Sequence, residues 1–398
     1  MTSPGPTGAP AATDRLRREN TALVLRSLRD NGSASRAAIA QRTGLAKATV
    51  SAIVAELSSA GAVLESPAEP DVAPTGRSGR PGRPVRLHGR DTVGLGLEVN
   101  VGYLAATALD LSGRVVLSSQ VPLESDRAGL DGVLALAEDS LARLTADGHR
   151  VLGLTLAVPG QVELDTGRVI EAPNLHWHDR DVAADLDHAL GELTVRVDND
   201  ANCAAAGEAA FGAGRGCSDL LYLTGTVGVG AGVVVAGELR RGAHGLAGEV
   251  GHAPLGAAGA PCACGRTGCW ETAVGLLALL RETGTSFAEL GSHDPVTVAS
   301  RIAERCPDDE PVRAGVLRFG RSLATGLAVL AATLDPEVIV LGGSFVPLGD
   351  WLLPVVDEQV AAVSSSRVAL STLGLHAAST GAAAAVLGEV YAGTLALA

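Results

Sequence analysis

Aromatic side chains are scarce in this chain: Phe, Trp and Tyr together make up 3% of 398 residues. Lys47 is the only lysine, and arginine carries nearly all other positive charge. That bias has no functional content. No apolar run approaches the roughly 20 residues that a membrane span needs. The first residues, MTSPGPTGAPAATD, lack the charged-then-apolar order of a secretory signal. These absences predict a cytoplasmic protein with no membrane partner. Cysteine occurs only six times, and in a reducing compartment it suits metal ligation better than disulfides. Ala and Gly fill much of the remainder, and the length allows two or three domains with a large core.

Net charge is −13, unevenly spread. Residues 1–90 hold 13 Arg/Lys and 7 Asp/Glu, a balance of +6, which leaves 18 and 37 for the rest, a balance of −19. A basic head on an acidic body predicts that only the head meets a polyanion. A solvated helical surface would give the same balance.

The stretch GEVGHAPLGAAGAPCACGRTGCWE, Gly248 to Glu271, concentrates His252, Cys262, Cys264 and Cys269 between two glutamates. Thiolates and a neutral imidazole are what a tetrahedral zinc ion takes. Buried cysteines can also serve as small hydrophobes, but the Gly, Pro and Arg between them argue against a packed core. Four protein ligands close the coordination sphere, so the ion is structural and would aim Glu249, His252 and Glu271. Cys203, Cys217 and Cys306 remain as free core thiols.

Residues 1–13 have no periodicity and read as a disordered tail. Residues 14–64 read as a helix-turn-helix with a wing. Leu16, Leu23, Val24 and Leu28 mark the first helix. Ser35 caps a second helix around Ile39, and Gly44 makes the turn. Val50, Ile53, Val54 and Leu57 form the apolar face of the third, at spacing i, i+3, i+4, i+7. Lys47, Ala48, Thr49 and Ser51 then open a recognition helix toward a major groove, with Arg36 and Arg42 on phosphates. Ala46 stands where Ser or Thr would cap that helix. A small helical dimerisation module is the alternative. Residues 65–90 are a Pro/Gly/Arg wing and linker, with Val85–Leu87 as its second strand. Arg77, Arg80, Arg83 and Arg86 fit either a minor groove or a solvated linker.

From residue 91 to 398 the texture is α/β. GLGLEVNVGYLAATALDLSGRVV and LLYLTGTVGVGAGVVVAGELRRG are two strand–glycine–strand hairpins more than a hundred residues apart. They predict a duplicated architecture of two lobes with a cleft. VRVDNDANCAAAGEAAFG reads as a strand running into a helix, with Asn199 and Asp200 at the junction, where α/β proteins place chemistry. Asn199, Asp200, Glu249, His252 and Glu271 make a polar rim suited to vicinal hydroxyls. Asp200 is positioned as a general base toward a hydroxyl.

DNDANCAAAGE, GTVGVGAGVVVAGELRRGAHGLAGEVGH and CACGRTGCWE, with the preceding helix-turn-helix, resemble the ROK family of repressors and sugar kinases across residues 14–398. The resemblance implies a winged helix-turn-helix joined to an actin-like, ribonuclease H-like, two-lobed sugar-kinase fold. It places His252, Cys262, Cys264 and Cys269 on zinc ligands. It places Gly160, Asn174, Asn199, Asp200, Glu249, His252 and Glu271 on sugar contacts, with Asp200 at the kinases' catalytic base. The family's phosphate loop, Asp-x-Gly-x-Thr, is here Glu98-Val99-Asn100-Val101-Gly102. Bulk stands where backbone must approach phosphate, so Asp200 is read as vestigial and ATP with Mg2+ is not expected. The expectation is a sugar-responsive repressor with structural zinc, a sugar or sugar-phosphate effector, a double-stranded DNA operator and a homodimeric or tetrameric state. An active ATP-dependent sugar kinase carrying a DNA-binding domain, and a constitutive DNA binder whose body only dimerises, are the alternatives.

Overall fold

The computed structural model describes residues 9–65, 83–89, 91–123, 129–191, 193–395 and 397. Arg77, Arg80 and most of the Pro/Gly/Arg stretch lie outside the described residues.

The head starts with α1 (Ala9–Asn31), so the helix takes in part of the expected tail. Three alanines among residues 9–13 favour helix, and Pro10 falls in the first turn, where a missing N–H costs nothing. Leu16 was expected on the apolar face but is 57% exposed; the buried α1 residues begin at Ala22. β1 (Ala34–Ser35) leads into α2 (Arg36–Thr43), where Ser35 Oγ accepts from Ala38 N at 3.2 Å. Gly44 at φ 72° ends it in the left-handed region. α3 (Lys47–Ser59) buries Val50, Ile53, Val54 and Leu57, and Ala46 gives it no side-chain cap. The wing pairs β2 (Val63–Glu65) with β3 (Pro84–Leu87), antiparallel, Val63 opposite Leu87.

The first lobe opens with a meander, β4 (Thr92–Val99), β5 (Tyr103–Asp110) and β6 (Val115–Pro122). After α4 (Leu130–Ala146), β7 (Arg150–Val158) pairs parallel to β4. A small sheet of β8 (Gln161–Glu163), β9 (Arg168–Ala172) and β10 (Trp177–Arg180) follows. After α5 (Val182–Leu190), β11 (Val195–Asn199) pairs parallel to β7 and runs into α6 (Asp200–Phe211). The second lobe repeats the plan. β12 (Leu220–Gly225), β13 (Val229–Val235) and β14 (Glu238–Arg240) form its meander. A long loop leads to α7 (Glu271–Val274), α8 (Leu276–Thr283), α9 (Phe287–Leu290), α10 (Pro295–Arg305) and α11 (Glu310–Leu334). β15 (Val338–Gly343), α12 (Gly349–Ala361) and β16 (Arg367–Leu370) complete that sheet, and α13 (Ala377–Ala392) closes the fold. The orders β11-β7-β4-β5-β6 and β14-β13-β12-β15-β16 are the same topology twice. The duplication read from the two hairpins is therefore real.

α13 lies on the first lobe's sheet and on α6 at close range. A Cβ at Gly96 would collide with the Ser379 carbonyl, and one at Gly381 with the Cys203 carbonyl. Only glycine permits such backbone approach. α13 also seals the head: Leu387, Val390 and Tyr391 share one buried cluster with Val24, Leu28, Ile39, Val54 and Val85, and with Leu109 and Leu111 of the first lobe. Tyr391 donates to the Leu111 carbonyl, and Arg29 lies 4.7 Å above its ring. Head and first lobe thus share one core.

One expectation stands with a physical reason and one needs correction. By length and average composition alone α11 is apolar enough to cross a membrane. Its Val312, Val316, Phe319, Leu323 and Leu327 sit in the second lobe's core, which accounts for its apolar character. Cys203 and Cys306 are buried as anticipated, but Cys217 is only half-buried.

Candidate functional site

The β11–α6 junction positions the first group of side chains. Asn199 caps α6 by accepting from Asn202 N at 3.0 Å. Its amide donates to the Gly160 carbonyl at 3.1 Å. Asp200 is buried and takes Ala201 N on Oδ1 at 2.8 Å. Burial raises its pKa to about 6, against those backbone bonds, and the Glu249 and Asp198 charges add to the rise. Asp198 itself is held by Arg241 through two bonds of 2.6 Å.

On the same lobe, the β4–β5 turn bonds its own polar groups. Val101 N donates to Asn100 Oδ1 at 2.8 Å, and Asn100 N to the Tyr103 carbonyl at 2.9 Å. Glu98 Oε1 accepts from Tyr103 Oη at 2.7 Å and from Asn100 Nδ2 at 3.2 Å. Glu98 Oε2 is buried without a partner. Desolvation raises the Glu98 pKa to about 7; the Tyr103 hydrogen bond opposes the rise and the Asp200 charge adds to it.

His252, Cys262, Cys264 and Cys269 bring their ligand atoms within 4.8 Å of one another. Cys262 Sγ lies 3.8 Å from His252 Nδ1, and Cys264 Sγ lies 3.7 Å from Cys269 Sγ. Thiolates at Zn–S of about 2.3 Å stand ~3.8 Å apart on a tetrahedron, so the cluster fits a zinc ion. The turn is built by Cys262 N donating to the Arg266 carbonyl at 2.9 Å and Gly265 N to the Cys262 carbonyl at 3.0 Å. Arg266 bonds Cys264 Sγ and lowers its pKa to about 6. Trp270 moors the segment: it is buried and donates to the Ser322 carbonyl of α11 at 3.1 Å.

Two carboxylates lie beside the cluster. His252 offers Nδ1 to the cluster, while its Nε2 lies 4.0 Å from Glu249 Oε2. Glu271 Oε1 is 3.0 Å from Cys262 Sγ, and its Oε2 would meet a Cβ at Gly228 on the second hairpin. One cavity of about 440 Å³ is lined by Gly160, Asn199, Glu249 and Arg241. A second, of about 430 Å³, is lined by Glu98, Asn100, Asp200, Tyr222, Thr226 and Asp294. Asn174, His252 and Glu271 line neither; Asn174 sits half-buried in the 3-10 turn Pro173–Leu175. Sequence reading missed Tyr103, Tyr222, Asp294 and the Asp198–Arg241 pair. Tyr103, beside the turn, and Asp198, at the strand-to-helix junction, carried a local signal.

On the head, Lys47 and Ala48 are exposed, Thr49 and Ser51 half-buried, and Arg42 exposed on α2. Arg36 is less available, because its guanidinium bonds Glu65 of the wing at 2.7 Å. Arg83 is exposed just before β3, and Arg80 lies outside the described residues.

A model of the ROK family matches residues 94–393, three quarters of the chain. The chain belongs to the ROK family. A winged helix-turn-helix DNA-binding model matches residues 17–63. This ROK chain is 29% identical over 357 residues to the xylose repressor of Bacillus subtilis (strain 168), covering 89% of this chain and 88% of that protein. It shares its fold with a ROK family transcriptional regulator, a homolog of the E. coli MLC protein, at TM-score 0.78 and 23% identity over 96% of this chain and 98% of that one. Its body is similar to a ROK family glucokinase from Streptomyces griseus, in complex with glucose and AMPPNP, at TM-score 0.63 and 27% identity, covering 74% of this chain and 98% of that one.

Proposed function

We propose that this chain is a sugar-responsive DNA-binding repressor whose kinase-like body has become a sensor. Likeness to a xylose repressor along nearly the whole chain, head included, supports it. The observation that carries it is the β4–β5 turn. A kinase needs that turn's amides free for phosphate, and here Asn100 and Tyr103 occupy those of Val101 and Asn100.

The sugar pocket is Gly160, Asn199, Glu249, His252 and Glu271, with Asp200 at its inner end and Asn174 at most on its margin. A structural zinc ion on His252, Cys262, Cys264 and Cys269 would hold the second lobe's wall and supply no open coordination position. Sugar closes the lobes and moves the heads of a homodimer or tetramer, which requires that it bind the two states with different affinity. Because head and first lobe share a core, lobe motion reaches the DNA contacts without a loose joint. Lys47, Ala48, Thr49 and Ser51 face base edges, with Arg42, Arg83 and Arg80 on the backbone. Arg36 braces the wing. The operator is double-stranded DNA, which places the protein in the cytoplasm.

Selection of DNA from random sequence, repeated with a panel of monosaccharides, tests the reading. A selected operator whose affinity falls with one sugar is the expected result; affinity unchanged across the panel overturns it. The alternative, an active sugar kinase, draws on the buried Asp200 beside the cleft and on the second glycine-rich hairpin, TGTVGVGAG. Sugar-dependent ADP release abolished by Asp200→Asn would replace the sensor with an enzyme.

A further inference from the structure

The two cavities adjoin at the start of α6, where Asn199 lines one and its neighbour Asp200 the other. Whatever sugar is bound against Asn199 and Glu249 presents one end to Asp200 and the cavity beyond. That cavity is carboxylate-lined: Glu98 from β4, Asp200 from α6 and Asp294 from the loop before α10. Among the described residues lining either cavity, Arg241 is the only Lys, Arg or His, and Asp198 takes both of its guanidinium arms.

Neutral donors of the first lobe are also committed, whereas the Thr224 and Thr226 hydroxyls of the second lobe line the same cavity. The helix N-terminus that would hold an anion is satisfied internally, Asn202 N by Asn199 and Ala201 N by Asp200. Asn100 takes the turn amide of Val101. Asp294 caps α10 with Oδ2, taking Thr297 N at 2.7 Å. The buried atoms left without a partner along the two cavities are acceptors, Glu98 Oε2 and Asn202 Oδ1. A phosphate ester brings acceptors and negative charge to this place, whereas a free hydroxyl brings a hydrogen.

We propose that this cleft selects an uncharged sugar over its phosphate esters, and that Glu98 is the discriminating residue, taking a hydrogen from the sugar's free terminal hydroxyl. The inference rests on the sugar-sensor reading and narrows its ligand class. A site built to bond a hydroxyl rejects ligands lacking one by factors as large as about 10⁴, and like-charge juxtaposition adds to the rejection.

Calorimetric titration of the full chain with neutral aldohexoses and aldopentoses, glucose and xylose among them, and with glucose 6-phosphate and the other phosphate esters, decides it. The expected result is one neutral sugar binding at least ~100-fold more tightly than its ester. Glu98→Gln should shrink that ratio about tenfold or more, by weakening the neutral sugar and admitting the ester. Thr226→Lys, a half-buried wall position that leaves Glu98 in place, should raise ester affinity by supplying the missing cation, and it keeps the test open if Glu98→Gln does not fold. An ester that matches or exceeds its parent sugar in the unaltered chain overturns the inference and leaves sugar sensing intact. A ratio unmoved by Glu98→Gln overturns the role of Glu98. No binding of any sugar or ester removes the sensor reading itself.

Discussion

The two walls of the cleft are held by opposite means. In the first lobe, Glu98, Asn100 and Tyr103 sit at the ends of fully buried strands and are fixed by hydrogen bonds to one another. In the second lobe, Glu249, His252 and Glu271 hang on a loop with little regular structure, gathered around three cysteines. The parent sheets have the same strand order. What differs is where the loops grew: the β4–β5 turn stayed short and the segment after β14 became long. A short turn can be rigid by itself, whereas a long loop needs an added crosslink or anchor to hold a site geometry.

The strongest way to break this comparison is to remove the metal. Metal analysis should find about one zinc per chain. Cys264→Ser should lose it and weaken sugar binding by 10- to 100-fold or more, while circular dichroism of the strands holds; a variant that keeps sugar affinity would reduce the cluster to a local staple. Next in size is Trp270→Ala. Trp270 is the largest fully buried side chain and the loop's mooring to α11, so its loss should cost about 3–5 kcal/mol by denaturant unfolding.

The first-lobe wall should answer to pH instead. Glu98 has a folded pKa raised to about 7 from an ordinary 4.5. The folded chain therefore binds more protons between those values, and stability falls as pH rises through that window. Glu98→Gln should leave the melting temperature nearly unchanged at pH 4.5 and raise it at pH 8, where it removes a burial cost of roughly 3 kcal/mol. A flat difference across pH would mean that burial does not raise the Glu98 pKa at all. Ala46→Ser, which touches neither wall, should add about 1 kcal/mol by capping α3 and sets the scale of an ordinary local gain.

Much of this was legible in the sequence because periodicity and turn chemistry are local. The apolar face of α3, the Ser35 cap, the two hairpins and the strand-to-helix junction at Asn199 all have the predicted form. So does the gathering of His252 with the three cysteines, since ligands this close in sequence have few other places to converge. What failed was non-local. Nothing near Arg36 announces Glu65, which reaches it from across the wing sheet. Asp294 enters the cleft from a loop almost two hundred residues after Glu98. Leu16 had the right spacing, but spacing does not show where a neighbouring helix stops. Alanine at residues 9–13 looked like low complexity and is helix.

The cluster that joins the head to α13 has a consequence for biosynthesis. The head emerges first from the ribosome, but Leu387, Val390 and Tyr391, which finish its interior, are made after every strand of the body. A nascent or prematurely terminated chain would carry the recognition helix without the packing that steadies it. Operator occupancy would then be reserved for molecules whose sensing body is already complete, so that unregulated fragments do not silence the genes they find.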